Sequence, residues 1–167
     1  MKIKILFLLT VVLSMASVSF GQQAQRATPD VVVRNLYAAR KRPATDPFFQ
    51  TKSRARLNKH FTTELADLIW KDSVASAKSN EVGALDGDPL YNAQDMKITG
   101  LRIKPPMYGE GNRDVADVPV SFKNYGKEET ILFRVERVSG VWKISDILYP
   151  RNPDDSSSLR KMLSSAP

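Results

Sequence analysis

Apolar and polar residues alternate through the last third of the chain, which is the period of a half-buried β-strand. The dipeptide Ser139-Gly140 suits a two-residue hairpin turn, and residues 124–127 suit a second turn. The first turn predicts the pairs Val138–Val141, Arg137–Trp142, Val135–Ile144, Phe133–Asp146 and Ile131–Leu148. The second predicts Phe122–Glu129, Val120–Ile131, Val118–Phe133 and Ala116–Val135. The opposite face then receives two complementary charged pairs, Asp117–Arg134 and Glu136–Lys143. The two registers agree on one apolar face, and a slip of one residue would reverse it.

The first half of the chain has helical spacing instead. Thr28-Pro29-Asp30 begins a helix, since threonine can cap, proline fits the first turn and aspartate complements the helix dipole. A short helical segment is predicted over 54–61, a longer helix over 62–79, a strand over 98–103 and a short terminal helix over 156–163. Helices followed by antiparallel strands predict an α+β fold, with N-terminal helices packed on the apolar face of a curved antiparallel sheet.

The N-terminus has the features of a secretory signal peptide. Lys2 and Lys4 precede an apolar run over 5–13, and small residues lead to Gly21. The run is shorter than the roughly 20 residues that span a bilayer. The chain has no cysteine, so neither a lipid-attachment cysteine nor a disulfide framework is expected. We therefore predict a signal peptide over 1–21, a linker over 22–28, a domain over 29–150 and a polar tail over 151–167, in a secreted or periplasmic protein that is not a lipoprotein.

Positive charge is concentrated in one part of the chain. Loss of the two leader lysines lowers the net charge from +7 to +5, and residues 34–71 hold nine basic residues against three acidic ones. Such a segment is typical of a solvated helix surface. The alternative is a surface that attracts anionic lipid headgroups, cell-wall polymers or an acidic protein. An exported protein is not expected to bind nucleic acid.

Several short motifs resemble one family. They are Val33-Arg34-Asn35-Leu36-Tyr37, His60-Phe61-Thr62-Thr63-Glu64-Leu65, Asp88-Pro89-Leu90-Tyr91-Asn92-Ala93-Gln94-Asp95 and Gly140-Val141-Trp142-Lys143-Ile144-Ser145-Asp146-Ile147. In this order, over about 29–150, they resemble a secreted bacterial family known as domain of unknown function 3828, within the nuclear transport factor 2-like superfamily. The resemblance implies a cone of helices closed by a bent antiparallel sheet, and export from the cytoplasm. It implies no catalytic residues.

Asp146 is the main candidate for chemistry. The predicted register places its carboxylate on the apolar face, opposite Phe133 and between Ile144 and Leu148. A buried carboxylate must be hydrogen-bonded, paired or protonated. It would serve as a general acid or base, or as a ligand anchor, inside the cone. The structural alternative is a carboxylate that accepts hydrogen bonds from helix-end amides or pairs with an arginine.

Other candidates support this site weakly. His60 is the only histidine and is expected at the surface, although beside Asp146 it would form an acid–base pair, with Tyr37 as a second helper. Without cysteine or a second histidine, no zinc or copper site is expected. Asp86, Asp88 and Asp95 lack the full ligand pattern of a calcium loop, so we expect no metal and no cofactor. A partly open cone would be lined by Tyr37, Trp70, Tyr91, Phe122, Phe133, Trp142 and Asp146.

Three functions follow from these observations. The first is a non-catalytic binding domain of the cell envelope, whose partner is a protein, a polymer or a small molecule. The second is an isomerase or dehydratase that uses Asp146, and the third is an inhibitor or immunity-type protein. The outer sheet face would suit contact between two copies through Leu132, Val138, Val141 and Ile147.

Overall fold

The structure is a computed structural model that describes residues 28–48, 53–79, 83–150 and 158–165. The predicted signal peptide, most of the linker and the start of the tail lie outside these ranges. The helices are α1 (Pro29–Arg40), α2 (Arg54–His60), α3 (Thr63–Ser79) and α4 (Leu159–Ser165). The strands are β1 (Ile98–Ile103), β2 (Met107–Tyr108), β3 (Val115–Asn124), β4 (Lys127–Val138) and β5 (Val141–Leu148). The predicted helices and strands are therefore present, and β2 is an addition.

The strands form one antiparallel sheet in the order β1-β3-β4-β5, and β2 extends the edge beside β3. Helix α1 lies across β3, β4 and β5. Its Val33 and Leu36 are fully buried, as are Phe133 and Val135 on the sheet. Helices packed on one face of an antiparallel sheet confirm the predicted α+β class.

The predicted register of β3 and β4 is confirmed along its whole length. Val118 pairs with Phe133, and Asp117 pairs with Arg134 on the other face through two 3.0 Å contacts. The hairpin turn before β5 is also confirmed, because Ser139 and Gly140 both have positive φ, at 49° and 82°. Period-two alternation and turn chemistry therefore determine this part of the sheet.

The predicted register of β5 fails at one point. Val135 pairs with Ile144 as expected, but the next pair is Arg134 with Asp146, so Ser145 is an extra residue without an opposite partner. A bulge of this kind reverses the alternation of every residue after it. Asp146 consequently lies on the outer face beside Arg134 and escapes burial in the apolar core.

The residues beyond the bulge exchange faces. Ile147 lies opposite Phe133 and is fully buried, while Leu148 pairs with Leu132. Because it is a core residue, Ile147 cannot belong to the outer-face contact predicted from the sequence. Two predicted pairs are wrong for this reason: Phe133–Asp146 and Ile131–Leu148.

The outer edge of β5 is covered. Phe61 forms a parallel bridge with Ile144, and Ser158 forms an antiparallel bridge with Leu148. Helix α4 then packs on α3 and β5 and buries Leu159 and Leu163. The terminal helix predicted within a polar tail is thus part of the core. No helix among the described residues has both the length and the apolar character needed to cross a bilayer.

Candidate functional site

The concave face of the sheet is filled by aromatic side chains. Tyr37, Phe122 and Phe133 are at most 4% exposed. Tyr37 meets Phe133 and Tyr91 edge-on, each at 5.8 Å between ring centroids, and Tyr91 meets Phe122 at 5.3 Å. Trp70 on α3 is half-buried against the same core. Most of the aromatic residues predicted to line a pocket therefore stabilise the interior by packing.

Asp146 is a structural tie to the last helix. Its Oδ1 accepts hydrogen bonds from the amides of Ile147 at 2.8 Å and of Arg160 at 2.9 Å. Arg160 is in the first turn of α4, where amides lack partners within the helix. On the sheet, Asp146 pairs with Arg134 of the neighbouring strand β4. The placement of Asp146 inside the cone was wrong, and its contacts match the structural alternative.

His60 is buried rather than exposed, at 9% of its surface, so the surface prediction was wrong. It ends α2 and lies against Phe61, with 6.5 Å between ring centroids. Burial, followed by the positive charges of Lys143 and Lys59, lowers the pKa of His60 from 6.5 to about 4. The charges that act on the imidazole are cationic, so the environment is the opposite of an acid–base pair with a carboxylate.

Two tyrosine hydroxyls hold the loop before β1. Tyr37 donates to the carbonyl of Leu90 at 2.9 Å, and Tyr149 donates to the carbonyl of Pro89 at 3.0 Å. Burial raises the pKa of both phenols well above the usual range. Tyr37 is therefore a buried donor committed to a backbone carbonyl, which leaves it unsuited to proton transfer.

An ion-pair network that the sequence did not indicate fixes the same loop. Arg40, at the end of α1, binds the carboxylate of Asp88 at 2.7 Å and also contacts Asp46. Asp46 accepts from the Phe48 amide at 2.9 Å, and Asp88 from the Leu90 amide at 2.8 Å. Burial opposes the charge of Arg40, but Asp88 and then Asp46 raise its pKa above the usual value. Every oxygen of the two carboxylates accepts at least one hydrogen bond, so the network stabilises the loop.

An open groove lies between α1 and the β4–β5 hairpin, and we call it the hairpin groove. Its volume is about 540 Å³. Its walls carry four apolar side chains and two cations, and none of its lining residues is a carboxylate. The lining residues are Val31, Val32, Asn35, Lys59, Arg137, Gly140, Val141 and Trp142.

The two cations of the hairpin groove are held differently. The Arg137 guanidinium lies 4.7 Å from the centre of the Trp142 ring and 3.5 Å from Asp114, an exposed carboxylate outside the groove lining. Lys59 is exposed, and its carbonyl accepts from Lys143 Nζ at 3.0 Å. Burial lowers the pKa of Lys143, whose ammonium group binds the last carbonyls of α2. These contacts of Lys143 hold the end of α2, which carries Lys59, against β5.

The structure brings Trp142 into this groove and leaves the other predicted residues elsewhere. Tyr91 and Phe122 line a separate cavity of about 270 Å³. The predicted pair Arg137–Trp142 is confirmed. The contribution of α1 was missed, because nothing in the spacing of Val31 and Asn35 relates them to a hairpin more than 100 positions away. The groove can hold an anion beside an apolar group.

Comparison with known proteins identifies no family for this chain. No family model matches it, and no curated protein matches it. Among solved structures, the phospholipid-binding protein of Ralstonia solanacearum, solved in complex with a phospholipid, aligns with 82% of this chain and 83% of its own. The identity is 14% and the TM-score is 0.42. A likeness of this degree transfers no ligand to this chain.

Proposed function

We propose that this chain is a non-catalytic binding domain that acts outside the cytoplasm and binds an anionic, partly apolar ligand in the hairpin groove. The observation that carries the proposal is the groove lining, which combines Trp142 and valines with Lys59 and Arg137 and lacks a carboxylate. Apolar walls with a few well-placed charges are typical of ligand sites. Export rests on the sequence of the first 21 residues.

Binding is better supported than catalysis. An acid–base enzyme needs a titrating group that reaches a substrate. Asp146 is bound to the amide of Arg160, Tyr37 is bound to a carbonyl, and His60 is buried near the positive charges of Lys143 and Lys59. From the four sequence motifs we further propose that the chain is a member of the nuclear transport factor 2-like superfamily and of the unknown-function family within it. An inhibitor would also be a binding domain, but no described feature favours that role.

The proposal is tested with octyl phosphate below its critical micelle concentration. In a Trp70→Phe background, fluorescence reports on Trp142, so saturable quenching or a spectral shift measures occupancy of the groove. We expect Lys59→Gln and Arg137→Gln each to weaken binding about tenfold, since a charge-assisted contact contributes about 1.5–3 kcal/mol at most.

The controls separate the contribution of the anionic group from that of the alkyl tail. Octyl glucoside has the same apolar tail without the anion and is expected to bind much more weakly. Lys78→Gln removes a charge from the exposed end of α3 and is expected to leave binding unchanged. Equal binding of both amphiphiles, or an equal effect of Lys78→Gln, would show that the groove does not select anions.

A further inference from the structure

The tip of the β4–β5 hairpin is apolar and exposed. Val138 and Val141 flank the turn with 47% and 56% of their surfaces accessible. The turn itself is Ser139-Gly140, which adds no charge. A soluble hairpin tip is usually polar, because turn residues face water. Two β-branched apolar residues on either side of a two-residue turn therefore form a small apolar tip.

Two cations of the hairpin groove lie behind this apolar tip. Arg137 precedes Val138 and stacks on Trp142, and Lys59 faces the same groove. Arg137 is paired at 3.5 Å with Asp114, whose side chain is mostly exposed. The arrangement places positive charge immediately behind an apolar tip.

Neighbouring loops extend the same end of the sheet. The amide of Arg137 donates to the carbonyl of Asp114 at 2.8 Å, so the β2–β3 connection lies beside the hairpin. In that region Met107 is 52% exposed and Tyr108 is 37% exposed. Arg113 lies over the Tyr108 ring at 5.3 Å. Apolar and cationic side chains thus recur across this edge, together with the acidic residues Glu110, Asp117 and Glu136, of which Asp117 is paired with Arg134.

We infer that this end of the domain docks on a bilayer surface that carries anionic lipid, with the valine tip at the headgroup–acyl boundary and the hairpin groove facing lipid phosphates. The inference rests on the proposed function, since it assigns the anionic amphiphile to a membrane. Charge complementarity selects this partner: an acidic protein would satisfy the cations but would leave the valines exposed. Basic residues near an anionic surface each strengthen binding about fivefold.

The test is co-sedimentation of the chain from residue 22 onward, without the predicted basic and apolar signal peptide, with phosphatidylcholine vesicles, with and without phosphatidylglycerol. We expect binding only to the anionic vesicles, and weaker binding as salt is added. Val138→Thr with Val141→Thr keeps β-branching and removes two apolar groups, so binding should fall several-fold. Lys59→Gln should reduce it about fivefold.

A matched control lies at the other hairpin. Tyr125 is 65% exposed at the β3–β4 turn, at the opposite end of β4. Its φ is 49°, which asparagine tolerates, so Tyr125→Asn should leave vesicle binding unchanged. Absence of sedimentation, equal binding to neutral vesicles, or an equal loss in Tyr125→Asn would overturn the inference. Retained octyl phosphate binding in any of these cases would leave the proposed function standing. Displacement from vesicles by free glycerol 1-phosphate would assign the site to a soluble phosphate and would also overturn membrane docking.

Discussion

The Arg40 network allows a direct test of what holds the loop before β1. Asp46 and Asp88 have side chains that are 1% and 5% exposed, while Arg40 is 33% exposed. Replacing Arg40 by methionine keeps an apolar stem but leaves two buried carboxylates with backbone donors alone. Removing one partner of a buried ion pair costs about 3–5 kcal/mol, and the partial exposure of Arg40 places this substitution near the lower value.

Urea unfolding measures the effect. With a slope of about 2 kcal/mol per molar for a domain of this size, a loss of about 3 kcal/mol lowers the midpoint by about 1.5 M. Arg34→Met is the matched control, because Arg34 is on the same helix, is 55% exposed and pairs with Asp30 at 3.1 Å. That change should cost no more than about 0.5 kcal/mol. If the two variants shift the midpoint equally, the buried carboxylates do not depend on Arg40, and this reasoning is refuted.

Two further predictions concern the residues first considered for catalysis. Because the pKa of His60 is lowered to about 4 by burial and then by Lys143 and Lys59, the unfolded chain binds the proton more readily, and stability falls as the pH drops from about 6.5 to 4. His60→Phe should remove this part of the pH dependence in urea titrations, and an unchanged slope would contradict the lowered pKa. Asp146→Ala removes acceptors from the amides of Ile147 and Arg160 and should cost about 1 kcal/mol. Hydrogen exchange should then accelerate in α4, and exchange that is unaltered there would show that Asp146 does not tie the helix.

The sequence predicted the parts of the fold that depend on local rules. Alternation and the two turns determine the β3–β4 pairing, because each residue's face follows from its neighbours. The bulge at Ser145 could not be predicted by the same rules. It lies within a strand and not at a turn, and one extra residue there leaves the strand-like composition of the segment unchanged. The one available signal was that Ile144 and Ile147 are both apolar at an odd spacing, so no continuous alternation could bury both. The extra residue, Ser145, therefore determines which face of the sheet Asp146 occupies.

The candidate site could not be predicted for a different reason. His60 is buried because α2 ends against β5, and Lys143 reaches back to the carbonyls of Asn58 and Lys59. The hairpin groove combines α1 with residues beyond 137, and Arg40 meets Asp88 across 48 positions. These contacts depend on how elements pack, which neither spacing nor composition records.

The covered edge of β5 bears on how the protein behaves at high concentration. Phe61 and Ser158 occupy backbone positions at which another strand could otherwise add. A chain cut back to residue 150 would lose both the Ser158 bridge and the apolar cover of Leu159 and Leu163. Phe61 would still cover the start of β5, but its end would be an exposed edge, so we expect the shortened chain to associate through strand pairing more readily than the full chain.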